Sequence, residues 1–475
     1  MLSAFGLGRA NNFAGEIGVS DNNRHPAAQE MRLSELLGAL SMALDLTEGQ
    51  PEGHSMRCCW IGMHIGRAMG LSDAALSDLY YTLLLKDLGC SSNAARICSH
   101  YLTDDLTFKR DFKLVNGSLA QAMKFVLSHT GMKAGMAARF GAIIKGIQNS
   151  GDIACELIDT RCTRGSNIAR RMRFSEDVAQ GIQYLDEHWD GSGLPKGASG
   201  SFIPLNARIA LLSQVVDVFH TASGPGAACQ EVGNRSGSWF DPRVVAAFEQ
   251  ISSDVDFWMM LQSTEIDEAV FALEPQKIAR KVSEDYLDEV AAAFAQVIDA
   301  KSTFTSNHSE RVMRYTDMIA EEMGCSDEKR RFLRRAALLH DIGKLGVSNA
   351  ILDKPGKLDD EEWEQMKMHA LNSEAILSRV GAFVDLAPIA GAHHERLDGT
   401  GYPYGLQGSE ITMDTRILTT ADIFDALSAE RPYRGAMAVS QALDIMAQMV
   451  GTAIDEDCFK ALSRAMERAG ELQVA

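Results

Sequence analysis

The stretch His340-Asp341-Ile342-Gly343-Lys344 lies at the end of a segment with helical periodicity. Upstream of it, Phe332, Ala336 and Leu339 recur at i, i+4 and i+7, the spacing of an apolar stripe that faces a core. An adjacent histidine and aspartate at a helix end can direct an imidazole nitrogen and a carboxylate at one centre, and both are ligands for transition metals. The stretch therefore predicts a metal site at the end of a core helix.

The half of the chain from Lys281 onward holds five of the twelve histidines. They are His308, His340, His369, His393 and His394. Asp422, on the helix predicted after Arg416, adds a carboxylate that can bind or bridge metals. A single histidine on an apolar helix is most often a core or surface residue, whereas five beside Asp, Gly and Lys signatures indicate a metal site. The spacing alone leaves the reaction open.

The chain contains two copies of one unit. Residues 189–195 match residues 397–403 at a shift of 208 positions. Lys86-Asp87-Leu88-Gly89 falls on His340-Asp341-Ile342-Gly343 at a shift of 254. The change of shift predicts about 46 extra residues in the first copy, between the two matched blocks.

Helical periodicity in both copies, with 7% aromatic residues and 22 methionines, predicts an all-α fold. We expect two tandem helical domains, at residues 30–275 and 281–475, with a boundary near Leu273 to Lys281. Residues 223–238 are rich in Gly, Ser and Ala and predict a loop near the end of the first unit.

Composition excludes several classes of protein. No run of about 18 apolar residues is present, so the sequence predicts no spanning helix and no membrane partner. The net charge of −18 argues against binding a nucleic acid polymer, whereas local cations and metals could still bind a small phosphodiester. Nine irregularly spaced cysteines without a CxxC pair, and no signal layout in residues 1–23, predict a cytoplasmic location.

The stretch 340–344 and the stretch His393-His394-Glu395-Arg396-Leu397-Asp398-Gly399-Thr400-Gly401-Tyr402-Pro403 resemble the two defining motifs of the HD-GYP phosphodiesterases. The resemblance runs from about Ser283 to the C-terminus and includes residues 307–312, 352–358, 366–369 and 429–434. It implies an HD-type helical fold for both copies, with the C-terminal one of the HD-GYP type. It also implies a cluster of two or three divalent transition metals, usually iron or manganese.

Position by position, the resemblance implies seven metal ligands. They are His308, His340, Asp341, His369, His393, His394 and Asp422. Asp341 would bridge two metals. Family members with a third metal carry a Glu four residues before the first of these histidines; this sequence has Phe304 there, so two metals are expected.

The resemblance also implies residues that act on the substrate. Asp341 and Lys344 would be catalytic, with Lys344 facing a substrate phosphate or the leaving oxygen. The residues implied in substrate binding are Lys344, Asp425, Arg431, Arg434 and Tyr402. The Gly401-Tyr402-Pro403 loop is linked in the family to contacts with diguanylate cyclase (GGDEF) proteins, and a homodimer is a further expectation.

The N-terminal copy keeps His54 and Asp87 but loses most other ligands. Lys86 stands at the position of His340, and Gln214 at that of Asp422. Cys90 replaces Lys344, Leu185-Asp186 replaces the histidine pair, and His129 is the candidate match for His369. A lysine in place of a ligand repels metal, so we expect neither metal nor hydrolysis there. Structural support, a dimerisation surface and a small-ligand sensor remain open as its role.

The activity implied by the resemblance is hydrolysis of cyclic di-GMP to linear pGpG, and the sequence leaves open whether pGpG or GMP is the end product. A different cyclic dinucleotide, such as cyclic GMP-AMP, stays open because no residue fixes the base. A non-hydrolytic sensor or interaction protein is the alternative from another class. A hydrolase of nucleoside triphosphates or alarmones is disfavoured by the Gly-Tyr-Pro block.

Overall fold

The computed structural model describes residues 32–115, 119–132, 135–148, 150–275, 282–302, 307–430 and 435–470. Regular structure in these residues is helical, with isolated β-bridges and no strand. The predicted all-α class is therefore confirmed. Within the same ranges, no helix has the length and apolarity that crossing a bilayer requires.

The α-helices of the first half are α1 (Leu33–Thr47), α2 (His54–Ala68), α3 (Asp73–Leu85), α4 (Ala94–Tyr101), α5 (Asp105–Phe112), α6 (Leu119–His129), α7 (Met136–Gln148), α8 (Ser150–Arg171), α9 (Glu176–Gln183), α10 (Leu205–Ser223), α11 (Pro225–Arg235), α12 (Pro242–Ser252), α13 (Val255–Met260) and α14 (Ile266–Leu273). Those of the second half are α15 (Glu284–Asp299), α16 (His308–Glu322), α17 (Asp327–Leu339), α18 (Asn349–Leu352), α19 (Asp360–Ser378), α20 (Ala387–Ala392), α21 (Met413–Ser428), α22 (Val439–Ala447) and α23 (Glu456–Arg468). Short 3₁₀ helices span Cys90–Asn93, Gly200–Phe202, Ile342–Gly346, Gly381–Leu386 and Gly408–Glu410.

The two halves repeat one arrangement of helices. Helices α2 and α3 have the same lengths as α16 and α17, each displaced by 254 residues. Ser72 and Ser326, the N-caps of α3 and α17, each accept a hydrogen bond from the N–H three residues on. Further along, the ion pair of Arg208 with Asp241 (2.6 Å) has its counterpart in Arg416 with Asp455 (2.8 Å). The duplication inferred from the sequence is thus present in the contacts.

The loop predicted at residues 223–238 is wrong, because most of it forms α11. Pro225 occupies the first turn of this helix, where a missing N–H costs nothing. Ala228 and Val232 then lie one turn apart and are buried against the core. The Gly- and Ser-rich composition predicted a loop here, because two apolar residues one turn apart are too short a pattern to indicate a helix.

Two glycines show which residues of the two copies correspond to each other. A Cβ on Gly343 would lie 2.0 Å from the carbonyl oxygen of His369, and a Cβ on Gly89 would lie 1.9 Å from that of Arg161. Only glycine permits such a close backbone approach, so Arg161 is the structural counterpart of His369. The predicted match of His129 with His369 is therefore wrong. We call residues 102–151, which lie between the two matched blocks and include α5 to α7, the extra segment of the first copy. His129 lies in this segment, at the end of α6 and 3.2 Å from Asp111.

A single apolar core runs through both halves. Helix α1 packs against the 3₁₀ helix Ile342–Gly346 and against α19, so the first half supports the segment that follows Asp341. The predicted domain boundary includes residues 276–281, which lie outside the described part of the chain. The division into domains at 30–275 and 281–475 therefore stays a prediction.

A buried polar network joins the extra segment of the first copy to the second half. Asp105, at the start of α5, accepts hydrogen bonds from Lys301 Nζ (2.9 Å) and from the Asn349 N–H (2.8 Å). The Asn349 side chain donates to the carbonyl of Lys301 (2.6 Å). Burial would raise the pKa of Asp105, but Lys301 and Lys109 hold it below its usual value. The network holds two segments that flank metal-ligand positions.

We predict that Asp105→Ala lowers the free energy of unfolding by about 3–5 kcal/mol, because it leaves the buried Lys301 ammonium without its partner. Lys460→Ala removes an exposed ion pair with Glu456 and should change it by less than about 0.5 kcal/mol. Urea unfolding of both variants measures the difference. Equal stability of the two variants would contradict the role of the network.

Candidate metal centre

The seven predicted metal ligands come from separate segments and meet at one buried centre. His308 begins α16, His340 follows the last residue of α17, and His369 lies within α19. The remaining members are Asp341, His393, His394 and Asp422. All except His394 are buried, with 0–9% of their surface exposed. The seven residues predicted from the sequence thus lie close together in the fold.

Asp341 stands between two groups of histidines. Its Oδ2 lies 3.3 Å from Nε2 of His308 and 3.3 Å from Nε2 of His340. Its Oδ1 lies 3.6 Å from Nε2 of His369 and 3.7 Å from Nε2 of His393. One carboxylate therefore presents one oxygen to each group, which is the geometry of a bridging ligand.

Each group contains a further donor. Oδ1 of Asp422 lies 3.5 Å from Nε2 of His308, on the first side of Asp341. On the second side, Nε2 of His394 lies 3.1 Å from Nε2 of His369. The ligand atoms of His308, His340 and Asp422 lie within 4.8 Å of one another, as do those of the three histidines on the other side. The arrangement offers two metal positions.

Backbone carbonyls fix the tautomer of three of these imidazoles. In each ring Nδ1 lies within hydrogen-bond distance of the carbonyl three residues earlier, so Nδ1 carries the proton and Nε2 is left as the electron-pair donor. The pairs are His340 with Ala337 (2.7 Å), His369 with Met366 (2.6 Å) and His393 with Ala390 (2.6 Å). These hydrogen bonds aim the three donors at the centre, from the ends of α17 and α20 and from the middle of α19.

Asp425 orients the fourth imidazole. Its Oδ2 lies 2.7 Å from His308 Nδ1, and its Oδ1 accepts a hydrogen bond from Arg311 Nε at 2.5 Å. The Asp425 side chain is fully buried behind His308, which corrects the predicted contact with the substrate. A carboxylate on the far nitrogen of a ligating histidine raises the basicity of the ligand and fixes its orientation. We assign Asp425 and Arg311 this positioning role.

The interior sets the charge of the ligands. Burial lowers the pKa of His369 to about 4, and burial together with His340 lowers that of His393 to about 3. Both imidazoles are therefore neutral at physiological pH, the form that binds metals. Burial would also lower the pKa of His308, but the neighbouring carboxylates of Asp341 and Asp425 raise it to about 9. Of these two carboxylates, Asp341 is also a predicted metal ligand.

Several buried ligand atoms have no hydrogen-bond partner in the protein. These atoms are Nε2 of His308, His340 and His393, and Oδ1 of Asp341. Buried polar atoms without partners are costly, and all four are aimed at the centre. Five imidazoles and two carboxylates are a donor set that suits divalent transition metals. The residues present therefore fit two such metals.

Two of the predicted substrate-binding residues lie beside the centre. Lys344 Nζ forms an ion pair with Oδ2 of Asp341, and 18% of the lysine side chain is exposed. The Tyr402 ring lies 4.8 Å from the His394 ring and 5.6 Å from the Trp363 ring, between their centroids. Arg431, Arg434 and Phe304 lie outside the described residues, so their parts stay predictions.

Three residues that shape the centre had no role predicted from the sequence. Arg311 lies in the matched stretch 307–312, and its ion pair with Asp425 has a counterpart in the first copy, between Arg57 and Asp217. Trp363 contacts Tyr402 but carries no motif signal. Glu395 accepts hydrogen bonds from the N–H groups of Tyr404 (2.6 Å) and Leu406 (3.0 Å) and so holds the Gly-Tyr-Pro loop.

In the first half, cationic side chains stand where ligands stand in the second. Lys86 forms an ion pair with Asp87, and Arg161 forms one with Asp186, at the positions of the pairs His340–Asp341 and His369–His394. The contact of His54 Nδ1 with Asp217 (2.6 Å) is retained. The first half therefore neutralises its buried carboxylates with its own cations.

Two groups of side chains in the first half still have the spacing of metal ligands. They are His54, Cys58 and Asp217, and Glu48, Asp87 and Cys90. Burial raises the pKa of both thiols, so they stay protonated at physiological pH. Lys113 Nζ also lies 2.8 Å from Glu48, and a further cation would be repelled there. The absence of metal from this half stays a prediction.

We predict that a chain loaded with Mn²⁺ and desalted retains about two metals, and that His308→Ala lowers this content. His54→Ala makes the same change at the equivalent position of the first half and should leave the content unchanged. Elemental analysis of the purified variants measures the ratio of metal to protein. Equal loss in both variants, or loss in neither, would contradict the assignment of the centre to the second half.

Comparisons with known proteins agree with this geometry. The HD domain family model matches residues 128–244 and 292–458. The 3′3′-cGAMP-specific phosphodiesterase 3 of Vibrio cholerae is 55% identical over 434 residues, 91% of this chain and 94% of the relative. The cyclic di-GMP phosphodiesterase response regulator RpfG of Xanthomonas campestris is 36% identical over 206 residues, 43% of this chain and 54% of the relative.

Among solved structures, the crystal structure of the cyclic GMP-AMP specific phosphodiesterase V-cGAP3 from V. cholerae is similar to this chain, with a TM-score of 0.64 and 49% identity. The match covers 92% of this chain and 98% of the V-cGAP3 chain. The family match has a segment in each half, and the V. cholerae phosphodiesterase 3 aligns with 91% of this chain. The chain belongs to the HD-domain family, in its HD-GYP branch.

Proposed function

We propose that this chain is a metal-dependent phosphodiesterase that hydrolyses a cyclic dinucleotide, with 3′3′-cGAMP as its preferred substrate. One observation carries the reaction class: the two oxygens of Asp341 face two separate histidine groups, and each group contains at least one buried Nε2 without a partner in the protein. When bound there, two divalent metals would neutralise the scissile phosphate and activate water for attack on phosphorus. Iron and manganese are both compatible with the imidazole and carboxylate donors.

Local positive charge has to attract the substrate, because the chain as a whole carries −18 and the substrate carries two phosphates. Lys344 is the cationic side chain nearest the bridging carboxylate, and it is partly exposed. Its ammonium group can hydrogen-bond a phosphate oxygen and stabilise the charge that grows on the leaving oxygen. Arg431 and Arg434 would add to this charge.

An aromatic wall borders the metal positions. The Tyr402 and Trp363 rings meet edge to face, and Tyr402 lies over His394. A flat aromatic face beside a phosphate site suits a nucleobase, because stacking tolerates either purine. The described residues therefore support a dinucleotide and leave guanine and adenine undistinguished.

The preference for 3′3′-cGAMP rests on the relatives. The cGAMP-specific relative aligns with 91% of the chain at 55% identity, whereas the cyclic di-GMP relative RpfG aligns with 43% at 36%. Two further V. cholerae relatives named cGAMP-specific, phosphodiesterases 1 and 2, match 52% and 31% of the chain at 35% and 39% identity. Cyclic di-GMP, the substrate expected from the motifs, is the competing substrate in the test below.

Contacts with other proteins remain part of the proposal. Tyr404, next to the Gly-Tyr-Pro turn, is 51% exposed and so could contact a diguanylate cyclase partner. A homodimer and a cytoplasmic location stay predictions from the sequence.

We predict that the Mn²⁺-loaded chain hydrolyses 3′3′-cGAMP at least about tenfold faster than cyclic di-GMP, a difference in barrier of roughly 1.4 kcal/mol. Asp341→Ala should abolish both activities. Phe202→Asp, which alters a distant exposed side chain, should keep the wild-type rate. Chromatography of the linear products measures all six reactions, three proteins with two substrates each.

Faster turnover of cyclic di-GMP would show that the base preference of the full-length relative does not extend to this chain. No turnover of either nucleotide with two metals bound would contradict the enzyme and favour a sensor.

We also predict that Lys344→Met lowers kcat by about 10²-fold, because it removes one charge stabiliser from the transition state. Metal content should not fall, since the Lys344 ammonium competes with metal for Asp341. Lys367→Met, on the exposed side of α19, serves as the matched control and should keep kcat. A drop in metal content that accounts for the whole loss of rate would contradict a direct role for Lys344.

A further inference from the structure

The extra segment of the first copy exposes an unusual amount of apolar surface. Of the 17 large apolar side chains exposed in the described residues, eight lie between residues 102 and 144. The most exposed are Met136 (90%), Phe140 (67%) and Met132 (63%). Soluble surfaces rarely gather large apolar side chains in one place without a partner.

Helix α7 turns its large apolar residues away from the protein. Met136, Phe140 and Ile144 recur every four residues and are all exposed, and we call them the outer face of α7. The side that packs on the protein holds Gly146 against Tyr101, Arg139, which donates a hydrogen bond to the carbonyl of Leu127, and the half-buried Ile143. Three large apolar side chains of the helix therefore point away from the protein.

The same segment carries no negative charge. From Lys113 to Gly151 the sequence has no Asp or Glu and five Lys or Arg, in a chain with 64 acidic residues among 475. Average usage would place about five acidic residues in this length. Lys124 and Lys145, on α6 and α7, are exposed. A chain of net charge −18 therefore presents one apolar surface with positive charge beside it.

We propose that the outer face of α7 docks on the surface of a bilayer that contains anionic lipids. Apolar side chains on one face of a helix, with lysines beside them, are the features of helices that lie in the interface of a membrane. Local positive charge would hold the acidic chain near anionic headgroups. Such docking needs no spanning helix and differs from the absence of a membrane partner expected from the sequence.

A second copy of the chain fits this surface less well. Symmetric pairing of two copies through α7 would bring together two segments that each have five Lys or Arg and no Asp or Glu. The space beside Gly141 is open, and Met136 protrudes with 90% of its surface exposed, so the face offers projecting side chains. Projecting Met and Phe side chains can enter the headgroup region without a matching pocket.

The test is sedimentation of the full chain with vesicles of phosphatidylcholine alone and with vesicles that also contain phosphatidylglycerol. We expect the partition coefficient of the chain to be at least about tenfold higher for the anionic vesicles than for the neutral ones. Binding to the anionic vesicles should fall as the salt concentration rises. The double variant Met136→Asp with Phe140→Asp should lose this binding. Phe202→Asp makes the same change at an 85% exposed phenylalanine outside the segment and should keep it.

A second variant separates charge from apolar contact. Lys124→Glu with Lys145→Glu keeps the outer face and should weaken binding to the anionic vesicles by about tenfold. Turnover of 3′3′-cGAMP in solution, unchanged in all of these variants, serves as the control for folding. If the metal-loaded wild type shows no turnover, circular dichroism and thermal unfolding replace this control.

Binding to neither vesicle, or binding that the double aspartate variant retains, would overturn the proposal. Self-association in sedimentation velocity that this variant abolishes, without vesicle binding by the wild type, would also overturn it and assign the face to a second copy.

Discussion

The carboxylate of Asp341 is buried between five imidazoles, and its two oxygens face two different groups of them. Burial would raise its pKa, but His340 and Lys344 hold it well below the usual value. A buried anion of this kind needs compensating positive charge. The helix ends that deliver the histidines, the carbonyls that fix their tautomers and the aspartate behind His308 all serve that requirement.

The two halves of the chain meet this requirement in different ways. In the second half, Nε2 of His308, His340 and His393 has no hydrogen-bond partner in the protein, which suits metal cations. In the first half, the positive charge belongs to the side chains of Lys86 and Arg161, which form ion pairs with Asp87 and Asp186. The scaffold contact between His54 and Asp217 persists because it orients helices in both copies. The first half can therefore remain folded without metal and pack against the catalytic half through α1 and Asp105.

The motifs predicted the all-α fold and the seven side chains that meet at the centre, because contiguous stretches such as 340–344 fix both residue type and position on a helix end. The match of His129 with His369 failed because the extra segment of α5 to α7 hides the point where the shift changes. The close approach at Gly89 reveals that point only in three dimensions. Asp425 was assigned to the substrate because sequence does not show that a carboxylate is buried behind a histidine. The outward apolar face of α7 was missed because periodicity does not say which side of a helix meets the core.

We expect metals to bind in the second half alone, on both sides of Asp341. Anomalous scattering from crystals grown with Mn²⁺ locates them. Two peaks are expected, roughly 3.5–4 Å apart, with one beside each oxygen of Asp341. No peak is expected beside Asp87, where Lys86 already supplies the charge. A peak next to Asp87, or a single peak that Asp341 does not contact, would contradict this expectation.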